Sequence, residues 1–257
     1  MSEDKTSGGV DFGARRVLEG EKASLVRALF DSVAPRYDLM NDLVSGGTHR
    51  WWKSEMVAWL NPLPGQLLLD VAGGTGDIGL RALPRLASPD APTPGRVVVC
   101  DTSEQMLAIG RARALDQGVL TGIEWMCADA ERLPAADRSV DLYTVAFGLR
   151  NVTRLDAALA EARRVLKPGG RFLCLEFTPE ITPFLQPLFD FYSFQVLPRL
   201  GRIVTGDREA YAYLAESIRH FPRQSELADM IARAGLDQVQ FRNLTGGVAA
   251  LHSAWRL

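Results

Sequence analysis

The sequence predicts an α/β fold, a mostly parallel sheet with helices on both faces, and three observations carry that prediction. Short runs such as Leu67-Leu68-Leu69-Asp70-Val71 and Val97-Val98-Val99-Cys100 are apolar throughout rather than alternating, the pattern of strands buried on both sides. Helix-period segments separate most of these runs, as in repeated strand–helix units. A glycine-rich turn, Gly73-Gly74-Thr75-Gly76, follows the first run and opens a helical segment, the place where such sheets bind ligands.

Taken in order, residues 1–20 are polar and charged, with Asp4, Lys5, Asp11, Arg15 and Arg16, and are expected to be a flexible tail rather than a signal peptide. Within residues 21–60 two helices are expected. Glu21 to Val33 spaces Leu25, Val26, Leu29, Phe30 and Val33 along one face until Pro35 ends the pattern, and His49 to Leu60 does so with Trp52, Met56, Trp59 and Leu60. Both precede the first strand and so are an addition to the α/β unit. Residues 66–178 form its core. Its strands are Leu67–Val71, Val97–Cys100, Ile123–Met126, Leu142–Val145 and Phe172–Leu175, and its helices Leu80–Leu86, Ser103–Leu115 and Leu155–Leu166. Ser88 to Gly95 holds three prolines and is a surface insertion. The third core helix is expected to end at Lys167-Pro168-Gly169-Gly170, with Arg163, Arg164 and Lys167 meeting the carbonyl end of its dipole. Residues 181–235, with the aromatic stretch Phe184 to Leu200 and helices at Arg208–Arg219 and Gln224–Arg233, are expected to be an inserted helical lid over the substrate. Two closing strands, Gln238–Leu244 and Gly247–Trp255, complete a single domain over 1–257.

Composition narrows the function. With 47% hydrophobic residues in 257 the chain can bury a substantial core, and a net charge of -2 supplies no field that would draw it to nucleic acid. Cys100, Cys127 and Cys174 sit in apolar runs without a Cys-x-x-Cys or a His at ligand spacing, so buried thiols are expected and no metal site. No run reaches the roughly 18 apolar residues of a membrane span. A cytoplasmic protein is expected, with peripheral membrane contact and a homodimer left open.

Gly74, Gly76 and Gly79 satisfy a dinucleotide-type spacing. A pyrophosphate at this turn would sit between Asp70 and Asp77 and be repelled by both, whereas the sulfonium and ammonium of S-adenosylmethionine would be attracted. The competing view is that Asp70 satisfies loop amides and Asp77 favours a helix N-terminus. The second strand ends in Asp101, whose two oxygens match a ribose diol, a role that serves a nicotinamide cofactor equally; helix capping is its alternative use, with Thr102 and Ser103 competing. The third strand ends in Asp129 and Ala130, which offer a carboxylate and an amide to an adenine edge.

Read together these pieces resemble the class I, Rossmann-like S-adenosylmethionine-dependent methyltransferases. At Phe30-Asp31-Ser32-Val33-Ala34-Pro35-Arg36-Tyr37-Asp38 and Phe147-Gly148-Leu149-Arg150-Asn151 the sequence is similar to the ubiquinone/menaquinone biosynthesis C-methyltransferases. Val165-Leu166-Lys167-Pro168-Gly169-Gly170, Leu175-Glu176-Phe177, Asn243-Leu244-Thr245-Gly246-Gly247 and Ala250-Leu251-His252 agree in order, so the likeness runs from about Phe12 to the C-terminus. The resemblance implies methyl transfer to a ring carbon of a polyprenylated quinol, demethylmenaquinol or the benzoquinol precursor of ubiquinone. It places cofactor contacts at Thr75, Asp101, Asp129, Ala130 and around Ala146, beside Asp70, Gly73, Gly74 and Gly76 of the loop. A nicotinamide oxidoreductase is the rival from another class.

A ring carbon beside a phenol becomes nucleophilic once the phenol ionises, at a cost of roughly 4 kcal/mol at neutral pH for a pKa of about 10. Arg150 is the expected electrostatic stabiliser of that quinolate because a guanidinium stays charged. The family motif suggests Asn151 to orient the hydroxyl and Tyr37 to relay its proton, and His49 is the other general-base candidate on chemistry. Phe184, Leu188, Phe189, Phe191, Tyr192 and Phe194 are expected to line a groove for the polyprenyl tail or to pack in the core.

Overall fold

The computed structural model describes residues 9–13, 15–34, 41–42, 45–87, 93–184 and 208–257. Its centre is a seven-stranded sheet in the order β5-β4-β3-β6-β7-β9-β8, with β3 (Leu67–Val71), β4 (Arg96–Asp101), β5 (Ile123–Cys127), β6 (Val140–Ala146), β7 (Leu166–Phe177), β8 (Asp237–Leu244) and β9 (Ala249–Trp255). The first five run parallel, and β9 lies antiparallel between β7 and β8. The chain steps outward from β3 to β4 and β5, then returns to the other side of β3 with β6. This reversal leaves a crevice outside the carboxyl ends of β3 and β6.

Helices cover both faces, which is why the central strands are apolar throughout. On one side lie α2 (His49–Leu60), α3 (Asp77–Leu86) and α4 (Glu104–Asp116), whose Trp52, Met56, Leu60, Ile78, Leu83 and Leu107 pack against Leu68, Val97 and Leu173. On the other, α5 (Leu155–Val165) and α7 (Gln224–Arg233) pack Leu159, Val165, Leu227 and Ile231 against Leu69, Tyr143 and Phe172. Helix α1 (Glu19–Val33) and α6 (Arg208–His220) stand at the loop end of the sheet, α6 touching the 3₁₀ turn Leu149–Asn151. Among the described residues no helix is long and apolar enough to cross a membrane.

Three expectations are corrected. Part of the supposed tail is ordered: β1 (Gly9–Phe12) and β2 (Arg15–Leu18) form an antiparallel hairpin, and Phe12 packs at a tilt on Tyr213 of α6 with ring centroids 4.7 Å apart. The apolar residues it contributes to the cluster with Val26 and Tyr213, Phe12 and Val17, are too sparse in the sequence to show a period. Helix α5 ends at Val165, not in the Lys-Pro-Gly-Gly turn. Leu166 already pairs with Val140, the register then jumps to Arg171 opposite Leu142, and Lys167 ion-pairs with Asp141 at 2.7 Å rather than the helix end. Pro168 has no N–H for the ladder and Gly169 takes φ 78°, so the turn is a bulge at the start of β7. Within the expected lid, α7 is a layer of the sheet, and of the aromatic stretch only Phe184, 88% exposed, is among the described residues.

Candidate active site

Two loops leave the crevice, one after β3 and one after β6, and each opens with a non-glycine residue in the left-handed region: Ala72 at φ 50° and Phe147 at φ 57°. Strain of this kind persists where the surroundings impose it. The loops touch, because a Cβ on Gly148 would lie 2.4 Å from that of Ala72, so only glycine allows the approach. Between them and the ends of β4 and β5 is a cavity lined by Ala72, Asp101, Ala128, Asp129, Ala130 and Asn151, with Ala23 and Val26 of α1 as its cover. An alanine floor suits a purine ring, and carboxylates at its rim suit ribose hydroxyls. The chemistry of the cavity therefore fits the adenosine part of S-adenosylmethionine.

Asp101 is fixed from two directions: the Gly74 N–H donates to Oδ2 at 2.9 Å and the Ser103 N–H to Oδ1 at 2.9 Å. Burial raises its pKa. Capping falls to its neighbour, since Ser103 Oγ accepts from the Met106 N–H and donates to Asp31 of α1 at 2.5 Å, tying the cover to the sheet. Asp129 accepts from the Glu131 N–H at 2.9 Å and, with Ala130, borders the same cavity. Ala146, the last residue of β6, packs against the core behind the crevice.

The glycine loop differs from expectation. Asp70 is fully buried and reaches no opening: Oδ1 accepts from the Thr144 hydroxyl at 2.8 Å and Oδ2 from the Gly79 N–H at 3.3 Å. Burial pushes its pKa up to about 7, so it is a poor attractor of a cation near neutral pH. Asp77 is already neutralised by Lys53 at 2.8 Å and Arg81 at 2.8 Å, and these cations hold its pKa down at about 2 against the opposing effect of burial. The pair of free acids that was to select a sulfonium is therefore absent: the Thr144 hydroxyl and the Gly79 amide use the first, and Lys53 and Arg81 use the second. Gly73 and Gly76 are packing glycines: a Cβ on the first would meet Val99 at 2.8 Å, and on the second Trp125 at 2.6 Å. Thr75 is buried, its hydroxyl accepting from Arg113 at 3.0 Å, and so braces the loop against α4.

Arg150 is also placed differently from expectation. Its guanidinium pairs with Glu176 at 2.6 Å and donates to the Phe147 carbonyl at 2.5 Å, with both side chains buried. Glu176 further accepts from the Arg150 and Phe177 N–H groups, and burial keeps its pKa raised despite the guanidinium. The charge that was to face a quinolate is compensated, so Arg150 shapes the second loop instead. Asn151 does face the cavity, and its Oδ1 accepts from the Tyr213 hydroxyl at 3.1 Å. Tyr37 lies outside the described residues. His49 is buried at the start of α2, its Nε2 2.9 Å from Asp42.

Sequence reasoning missed Glu176, Lys53, Asp42 and Tyr213. A signal existed for the first: a lone carboxylate in the apolar run Leu173–Phe177 has to find a cation or donors when buried. Lys53 and Asp42 gave none, since they meet their partners only through the packing of α2.

A family model described as the ubiE/COQ5 methyltransferase family matches residues 16–256. The ubiquinone/menaquinone biosynthesis C-methyltransferase UbiE of Dinoroseobacter shibae is 53% identical over 256 residues, 100% of this chain and 99% of that one. Its counterpart from Cereibacter sphaeroides is 52% identical over 254 residues, 99% of each. A solved SAM-dependent methyltransferase from Thermotoga maritima superposes with a TM-score of 0.60 at 19% identity, covering 90% of this chain and 100% of that one, and so supports the fold.

Proposed function

The chain belongs to the ubiE/COQ5 methyltransferase family, and on that footing we propose that it transfers a methyl group from S-adenosylmethionine to a ring carbon of a polyprenylated quinol, converting demethylmenaquinol to menaquinol. The observation that carries this reading is the crevice itself: a cavity bordered by Asp101 and Asp129, lined also by Ala23 and Val26 of α1, with Asn151 of the second loop facing into it. S-adenosylmethionine supplies an electrophilic methyl on a positively charged sulfur. The chain supplies position and protection from water, which dominate a displacement in which opposite charges cancel.

Asp101 and Asp129 would hold the ribose and adenine of the cofactor, with Ala128 and Ala130 lining the same cavity. Asn151 accepts one hydrogen bond from Tyr213, which fixes its amide so that the NH₂ can orient a quinol hydroxyl. Arg150 and Glu176 lock the loop that carries Asn151. A polyprenyl tail keeps such a substrate in lipid, so contact with a membrane surface follows, to be measured by co-sedimentation with vesicles. The relatives' names cover both quinone pathways, so the test carries both acceptors. Methyl transfer from labelled S-adenosylmethionine is measured with demethylmenaquinol and with the benzoquinol. Faster turnover of the naphthoquinol is expected; turnover of the benzoquinol alone reassigns the acceptor, and turnover of neither removes the proposal.

A further inference from the structure

Helix α1 is tied to the strand-end loops by two polar contacts, one near each end. Lys22 Nζ donates to the Val152 carbonyl at 3.1 Å, and Val152 follows the turn after β6 and lines the crevice cavity. Asp31 accepts from the Ser103 hydroxyl at 2.5 Å, and Ser103 follows β4. In the sheet β4 and β6 flank β3 on either side, which sets their ends about 10 Å apart. Lys22 and Asp31 stand nine residues apart on the helix, a rise of about 13.5 Å. The helix therefore bridges the carboxyl ends of β4 and β6, and between its two ties it lines the cavity with Ala23 and Val26.

The second tie is the stronger. Ser103 Oγ accepts from the Met106 N–H at 3.1 Å, so its own hydrogen is directed at Asp31. At 2.5 Å that contact has the length of a hydrogen bond to a carboxylate ion. The Ser103 N–H meanwhile donates to Asp101 Oδ1 at 2.9 Å, so one serine joins α1 to a carboxylate of the cavity rim. The cavity beside α1 is about 70 Å³, whereas sites that hold small molecules run from roughly 300 Å³ upward. Helix α1 thus has to draw back before a cofactor can enter, and again before the demethylated product can leave.

We propose that Asp31 is a positioning residue for the cofactor: its bond to Ser103 latches α1 across the crevice and sets the rate at which S-adenosylmethionine enters and leaves. This rests on the S-adenosylmethionine reading above and not on the identity of the methyl acceptor. Both partners of the latch belong to the chain, so the bond holds α1 in place with the cofactor bound and without it. Its loss therefore speeds entry and exit by a similar factor and leaves the equilibrium affinity nearly unchanged. A side chain that touched the cofactor would behave differently: its loss would speed exit alone and weaken affinity by the same factor.

The experiment measures kon and koff for S-adenosylmethionine by stopped flow on the full chain, in the unaltered protein, Asp31→Ala, Asp31→Asn, Ser103→Ala and the double variant Asp31→Ala with Ser103→Ala. Asp31→Ala raises both rates about tenfold, as loss of a hydrogen bond to a charged group implies, and keeps Kd within about threefold. Asp31→Asn, which keeps an acceptor oxygen without the charge, raises them by less. Ser103→Ala raises them as Asp31→Ala does, and the double variant goes no further, because the two side chains act through one bond. Without cofactor, amide hydrogen exchange over residues 19–33 is faster in Asp31→Ala, and exchange in β3 to β7 is unchanged. A koff in Asp31→Ala within about twofold of the unaltered protein overturns the proposal. So does a Kd weakened about tenfold at unchanged kon, which would make Asp31 a cofactor contact. Should Asp31→Ala not fold, unchanged rates in Asp31→Asn overturn it equally. Failure of the unaltered protein to bind S-adenosylmethionine removes the cofactor reading instead, and binding without transfer to either quinol removes only the acceptor.

Discussion

The loops after β3 and β6 face the same crevice, each starts from a strained non-glycine residue, and each has a buried acid behind it: Asp70 for the first, Glu176 for the second. They are stabilised in opposite ways. Asp70 has only neutral donors, the Thr144 hydroxyl and the Gly79 amide, and burial leaves its pKa at about 7. Glu176 has a guanidinium at 2.6 Å and two amides besides. The cofactor loop thus rests on packing around a carboxyl that titrates, while the Asn151 loop rests on a buried ion pair. A buried pair adds little net stability over apolar residues, but breaking it leaves a charge stranded.

The largest expected effect follows from that difference. Arg150→Ala strands Glu176 and should cost about 3 to 5 kcal/mol in urea unfolding; a loss below about 1 kcal/mol would mean that Glu176 is protonated and the pair nominal. Next comes Asp70→Asn. A carboxyl with a raised folded-state pKa contributes stability that is present below its unfolded pKa and is lost as pH rises through about 7. Relative to the parent, Asp70→Asn should therefore gain stability between pH 4 and pH 8, by about 2 to 4 kcal/mol, seen as converging or crossing melting curves. A difference that does not move with pH would show that Asp70 is solvated in the folded state.

Gly76→Ala places a methyl 2.6 Å from the Trp125 ring at φ 74°. Loss of about 1 to 3 kcal/mol and weaker cofactor binding by titration calorimetry are expected. Trp52→Phe keeps the ring against Phe147 and Phe177 but removes the 2.9 Å hydrogen bond to Thr245, for about 1 kcal/mol. Arg96→Ala breaks the exposed pair with Glu124, remote from both loops, and should change the melting free energy by less than about 0.5 kcal/mol.

What could be read in advance followed the same division. The strands β3 to β7 and helices α1 to α5 were legible because burial on two faces writes continuous apolar runs and helical spacing into the sequence. Asp101, Asp129 and Asn151 were legible as residues at strand ends, where the topology delivers them to the crevice. Charges that act through long-range pairing were not. Nothing local in Asp70-Val71-Ala72-Gly73 shows that Thr144 will lie opposite Asp70, nor does Arg150 announce Glu176 on the next strand. The sulfonium argument from Asp70 and Asp77 failed for that reason, although the cofactor it pointed to agrees with the family. The hairpin over 9–18 escaped because a few contacts to α1 and α6, rather than a periodic pattern, hold it.

Carbon methylation of a quinol in this crevice is open to direct measurement. The most direct measurement is incubation of the full chain with S-adenosylmethionine and demethylmenaquinol under reducing conditions, followed by mass spectrometry and fragmentation of the product. One added methyl is expected, on the ring carbon. A methyl on oxygen, or tight cofactor binding with no transfer to either quinol, would contradict it.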